Sequence, residues 1–129
     1  MNYIRYGFIA AGFTNIAGVL LFSKFFTNPF MNEASPVVMS NFGLLMIIVW
    51  GFAYISVSTA YQNVPWLVLL FTVEKLIYTI SWILWFKQND LTFPYTKDLF
   101  AGLFYTLYGF NDFLSMLFFG WVFWISRKE

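Results

Sequence analysis

Apolar residues along this 129-residue chain gather into four long blocks, and in none of them do they alternate regularly with polar ones. The blocks cover about Tyr3–Phe26, Pro36–Ala60, Val64–Phe86 and Leu99–Ser126. A bilayer core about 30 Å thick is crossed by roughly 20 helical residues, and each block is long enough. Unpaired backbone groups are too costly in lipid, so a crossing segment is a helix or a strand of a closed barrel. Runs of this length without period-two alternation predict helices. The expected fold is all-α: an integral membrane bundle of four transmembrane helices with short loops, one domain over residues 1–129. Thr14 and Asn15 sit at the centre of the first block and no A-x-A cleavage site follows it, so it reads as a retained span rather than a signal peptide.

The residues between the blocks sharpen this picture. Ser35 before Pro36 reads as an N-cap followed by proline at the first helical position. Tyr61-Gln62-Asn63 is a tight link that predicts an antiparallel hairpin of the second and third spans. Asn28-Pro29 and Asn32-Glu33-Ala34-Ser35 mark the first loop, and the last runs from Lys87 to Asp98 around Phe93-Pro94-Tyr95. That aromatic segment is expected at the headgroup level with Trp66, Trp85, Trp121 and Trp124, because amphipathic rings collect there. Four spans put both termini on one side. Lys and Arg tie across the two sides: Arg5, Arg127 and Lys128 against Lys24, Lys87 and Lys97. Glu33, Asp90 and Asp98 dilute the second set only. The expectation is cytoplasmic termini in a bacterial inner (plasma) membrane, with Arg5, Arg127 and Lys128 as topology anchors.

Composition acts mainly by exclusion. The chain is 60% hydrophobic and 10% charged, where soluble domains carry about 25% charged residues. It has no cysteine and no histidine. Disulfides, thiolate catalysis, ordinary zinc sites and histidine-ligated haem therefore fall away, and no cofactor or metal is expected. A net charge of +1 offers no basic surface for nucleic acid.

Against this background the polar residues inside the blocks stand out. Asn15, Glu74, Lys75, Asn111 and Asp112 all fall near the centre of a span. An ionisable group at that depth costs about 2.5–3.5 kcal/mol on insertion scales, so three of them call for a reason. Glu74 and Lys75 are adjacent, and neighbours on a helix do not face each other. Asp112 is the other acid at that depth, and Lys75–Asp112 is the expected pair. The three charges sum to −1, so one carboxyl is left without a cation: Glu74, or Asp112 if the pairing is reversed. Tyr105, Tyr108, Asp112 and Ser115 share one face, as do Glu74, Tyr78, Ser81 and Trp85. The second block offers Ser40, Gly43, Gly51, Tyr54 and Ser58, and the first offers the small-residue seam Gly7, Ala11, Thr14 and Gly18. The candidate ligand- or proton-binding residues are Glu74, Lys75, Asp112, Asn15, Asn111, Tyr78 and Tyr108. A faint repeat joins them: Gly12-Phe13-Thr14-Asn15, Gly51-Phe52-Ala53-Tyr54 and Gly109-Phe110-Asn111-Asp112 each set a glycine three residues before a polar group, on the same helix face.

Three readings follow. The first is binding or transport of a proton, a cation or a small amphiphilic ligand at a midplane carboxyl, in a protein that needs a homodimer if it transports. The second is an accessory or assembly subunit whose leftover acid meets a cation on a partner membrane subunit. The third is an isomerase-like membrane enzyme on a lipid-like substrate, with Glu74 and Asp112 as acid and base beside Tyr78 or Tyr108. The missing His, Cys and metal site weigh against it. Size and span number look like the small multidrug transporters, but their key glutamate lies in the first span, where this chain has Asn15, and no residue is carried over. Arg5 near the start of span 1, glycine-rich spans and four helices also resemble DoxX-like small bacterial membrane proteins, in architecture and not in motif, and no function is drawn from that.

Overall fold

The computed structural model describes residues 2–128, and of Lys128 its backbone alone. The anchoring role expected of the Lys128 side chain lies outside the described residues. The chain is all-α, with no strand among the described residues. Its helices are α1 (Asn2–Phe22), α2 (Pro29–Ala34), α3 (Asn41–Val57), α4 (Pro65–Gln88), α5 (Thr92–Lys97) and α6 (Leu99–Lys128), with a 3₁₀ turn at Tyr61–Asn63. Two of them, α1 and α4, are long and apolar enough to cross a membrane by length and composition. Helix α3 has 17 residues, and α6 carries Asn111 and Asp112 at its middle.

Helix ends follow local chemistry that the apolar pattern does not carry. The first block was expected to run to Phe26, yet α1 ends at Phe22. Lys24, Phe25 and Phe26 take positive φ values of 52°, 57° and 68°, a left-handed run that costs a non-glycine residue roughly 1–2 kcal/mol each. Side chains hold it. Ser23 Oγ accepts the Phe26 N–H, Asn28 Nδ2 donates to the Phe22 carbonyl, and both Asn28 and Lys24 reach Asp98 across the bundle. The second block was expected to start at Pro36 behind a Ser35 cap. Helix α3 begins five residues later, because Ser40 Oγ accepts the Gly43 N–H and is the working N-cap. Asn32 Nδ2 fixes the preceding turn through the Met39 carbonyl at 2.7 Å. Pro65 opens α4 at the position where its missing N–H and fixed φ suit a helix. Asp98 Oδ2 accepts the Ala101 N–H at 3.0 Å and so starts α6. The first and last of the three connections, expected as loops, each contain a short helix, and Phe93-Pro94-Tyr95 lies within α5.

The expected hairpin of spans 2 and 3 is not the main packing unit. The closest pairs are α1 with α3 and α4 with α6, each joined by its own short helix. Glycine is the reason in the first pair. A Cβ on Gly51 would lie 2.8 Å from the Gly12 carbonyl oxygen, and one on Gly12 would strike the Gly51 carbonyl. In the second pair Gly109 lets the Trp82 ring lie on the α6 backbone, while Trp82 Nε1 donates to the Tyr105 carbonyl. Helices α3 and α4 meet through long side chains instead, Tyr54 and Trp50 reaching Phe71.

Two apolar clusters fill the interior. One gathers Val19, Met31, Leu44, Ile48, Trp85 and Phe104; the other gathers Phe8, Val57, Val68, Phe71, Phe119 and Val122. Trp85, expected at a headgroup surface, belongs to the first. It is buried, stacked on Tyr105 at 4.6 Å, and donates to the Ala34 carbonyl. Trp66, Trp121 and Trp124 are exposed, and Arg127 lies 4.7 Å over the Trp66 ring. The outer surface carries many large apolar groups, among them Phe13, Phe52, Leu70, Ile77, Phe110 and Leu117, all at least half exposed.

Candidate functional site: an ionic centre beside a cavity

Asn15, Lys75 and Asp112 lie in the central parts of α1, α4 and α6, whereas Tyr54 lies near the C-terminal end of α3. Lys75 is the centre of the arrangement and is 1% exposed. Its Nζ donates to Asp112 Oδ1 of α6 at 2.9 Å and to Asn15 Oδ1 of α1 at 3.0 Å. It also lies 5.3 Å from the centroid of the Tyr54 ring of α3, within cation–π range. One ammonium on α4 therefore engages the other three long helices. Asn15 is held from its other end, its Nδ2 donating to the Ile47 carbonyl at 3.0 Å. A buried charge is tolerable when it is paired and its hydrogen bonds are met, and each of these groups meets that condition.

Glu74 stands apart. It makes no ion pair with its neighbour Lys75, adjacent helical positions not facing each other. Tyr54 donates a hydrogen bond to Glu74 Oε1, and both residues are buried. Among the described residues the ion pairs are Lys75–Asp112 and Lys24–Asp98, and Glu74 belongs to neither. Tyr54 thus serves both charges on α4, offering its ring face to Lys75 and its hydroxyl to Glu74.

Beside this centre is a cavity of about 250 Å³. Its polar wall holds all seven residues singled out from the sequence: Asn15, Glu74, Lys75, Tyr78, Tyr108, Asn111 and Asp112. The rest of its lining is mainly apolar and includes Val19, Phe22, Ile47, Phe104 and Leu107. The expected Lys75–Asp112 pair is present, and among the described residues Glu74 is the cavity carboxyl in no ion pair. Other stripe members do different work. Thr14 is exposed and its hydroxyl returns to the Ala10 carbonyl, Ser40 caps α3, and Tyr105 donates to the Met31 carbonyl. Tyr54 is the principal site residue absent from the candidate set, although the Gly51–Tyr54 repeat contained its signal. The three repeats end on Asn15, Tyr54 and Asp112, which are the three residues that surround the Lys75 ammonium.

A second polar cluster lies at the α2/α5 end. Lys24 Nζ meets Asp98 Oδ1 at 2.7 Å, and Asn28 Nδ2 meets Asp98 Oδ2 at 2.8 Å. Partial burial works against the Asp98 charge, but hydrogen bonds from Lys24, the Ala101 amide and Asn28 outweigh it and hold the carboxyl below its ordinary value of 3.8.

Fold and site together define an all-α chain with a buried ionic centre beside a largely apolar cavity. The chain matches no family model, no curated protein and no solved structure.

Proposed function

We propose that this is an integral membrane protein in which α1, α3, α4 and α6 all cross the bilayer, and that its central cavity binds a small cationic or amphiphilic ligand, or a proton, at Glu74. The exposed apolar surface supports the first part. Soluble monomers rarely expose contiguous apolar patches beyond a few hundred Å², and here large apolar side chains cover the outward faces of all four long helices. The 17 residues of α3 reach the short end of the spanning range. Four crossings place both termini on one side, proposed as the cytoplasm.

The observation that carries the second part is Glu74. It is a buried carboxyl in a cavity wall, hydrogen-bonded by Tyr54, in no ion pair among the described residues. A carboxylate so placed accepts a proton or faces a cation, and Tyr78 and Tyr108 line the same cavity. Lys75, Asn15 and Asp112 act as the frame that holds α4 in register, because their polar groups satisfy one another.

The test is native mass spectrometry after mild extraction, on wild type and Glu74→Gln. The expected result is a monomer or homodimer that carries a small bound mass in wild type and loses it in the variant. Equal retention by both, or co-extraction in fixed ratio with other subunits and no bound mass, overturns the binding reading.

A further inference from the structure

The cavity has a side opening whose edges can be named. Near the N-terminus of α1 the wall between α1 and α6 is shut. Gly7 packs against the Phe118 ring, and Phe8 contacts Phe118 and Phe119 at 5.5 and 5.4 Å. At the other end it is shut again by Phe22 against Phe100 and Phe104, at 6.3 and 6.2 Å. Between these closures the two helices part. A Cβ on Gly18 would meet nothing within 4 Å. Across the gap Leu107 is 49% exposed although it lines the cavity, and Thr14 on the α1 edge is exposed as well. The surface around the gap is apolar: Phe13, Leu21, Phe110 and Leu114 are all at least half exposed.

We infer that the cavity is a lateral window open to the hydrocarbon of the membrane, and that its occupant is an amine or quaternary ammonium bearing an alkyl chain. The inference rests on the binding reading above and adds the ligand's chemistry and route. Charge selects the head. Lys75 and Asp112 cancel, which leaves Glu74 as the excess charge on the polar wall. Size and lining select the rest. A space of about 250 Å³ lies below the roughly 300–1,000 Å³ of enclosed small-molecule sites. It holds a head and the first methylenes against Val19 and Phe104, and the remainder of the chain leaves between Gly18 and Leu107 into lipid. Such a ligand need never cross water, because it partitions into the bilayer and moves sideways.

The experiment measures binding of radiolabelled dodecyltrimethylammonium and of tetramethylammonium to the protein in phosphatidylcholine nanodiscs, above the level of empty discs. Wild type is compared with Glu74→Gln, Gly18→Leu and Leu107→Trp. The last two narrow the window from opposite edges, and thermal unfolding confirms that each is folded. The expected result is saturable binding of the chain-bearing probe to wild type, at least tenfold tighter than tetramethylammonium. Glu74→Gln and each window variant weaken it by tenfold or more. If tetramethylammonium binds as tightly and neither window variant matters while Glu74→Gln does, the cavity binds cations from water, and the window is overturned while the binding reading stands. If neither probe binds wild type above empty discs, both are overturned.

Discussion

Replacing Lys75 with methionine removes one charge and keeps most of the side-chain volume. In the wild-type protein the ammonium is 1% exposed and bonded to Asp112 at 2.9 Å and Asn15 at 3.0 Å. Without it, Asp112 is a buried carboxylate with no cation, and truncating one partner of a buried pair costs about 3–5 kcal/mol. The Asn15 carbonyl oxygen is orphaned too, an effect of about 1–3 kcal/mol, so about 4 kcal/mol is the least expected in total. Asp112→Asn strands the ammonium instead and should cost about 3 kcal/mol or more. In the double variant neither charge remains, and the loss should fall to about 1–2 kcal/mol. The coupling energy is then several kcal/mol, well outside the roughly 0.5 kcal/mol scatter of additive pairs. Reversible unfolding of the four proteins in mixed micelles measures it. If the two single losses add to the double within that scatter, Lys75 and Asp112 do not work as a pair, and the frame assigned to them is wrong.

Three further outcomes follow from other parts of the fold. Gly12→Ala and Gly51→Ala each push a methyl group into the facing backbone and should cost about 1–3 kcal/mol by overpacking; Gly18→Ala, which meets open space, should stay within about 0.5 kcal/mol, and thermal shifts of the three separate the cases. Ser40→Ala should cost about 1 kcal/mol through the lost cap of α3, checked by hydrogen exchange at the Gly43 amide, which should rise. Asp98 has a folded pKa below its ordinary 3.8, so its contribution is fully present above that value and disappears as pH falls through the lower, folded one; the gap in unfolding temperature between wild type and Asp98→Asn should therefore be widest near neutrality and close in strong acid, and a gap that persists there contradicts the assignment.

Much of this was legible in the residues because the membrane-like pattern is coarse and strong. Four apolar blocks became four long helices, and α4 kept nearly the expected bounds. The Lys75–Asp112 pair could be anticipated because charges at one depth, on helices too apolar to offer other partners, have few choices. What escaped the sequence reading was information carried by single side-chain bonds. Nothing in Ser35-Pro36 says that Ser40 will be the better cap, since that depends on Asn32 holding the Met39 carbonyl across the turn. The end of α1 at Phe22 depends on Asp98, which is 70 or more positions away. A short link makes α3 and α4 neighbours in the chain, but the closest backbone approach is decided by where glycines lie, and those are in the α1/α3 and α4/α6 pairs. Tyr54 was hidden among many tyrosines. Its place in the Gly51 repeat, at the same offset as Asn15 and Asp112, was the usable clue.

The arrangement long helix, short helix, long helix occurs twice, over residues 2–57 and 65–128, and each copy is zipped internally by glycine contacts. For a chain that spans the bilayer as proposed, apolar surface gives little reason for the two copies to join, because lipid tails solvate leucine and phenylalanine as well as another helix does. Their cohesion then depends on the few features lipid cannot imitate. The buried Lys75 ammonium is one of these: it sits on the second copy and engages Asn15 and Tyr54 of the first. It shares that task with the Lys24–Asp98 pair and with the bonds from Trp85 and Tyr105 to the Ala34 and Met31 carbonyls, all of which also join one copy to the other. Lys75 and Asp112 belong to one copy and Asn15 and Tyr54 to the other, so the shell around the ammonium, and with it the cavity wall, is complete only when the two halves are joined.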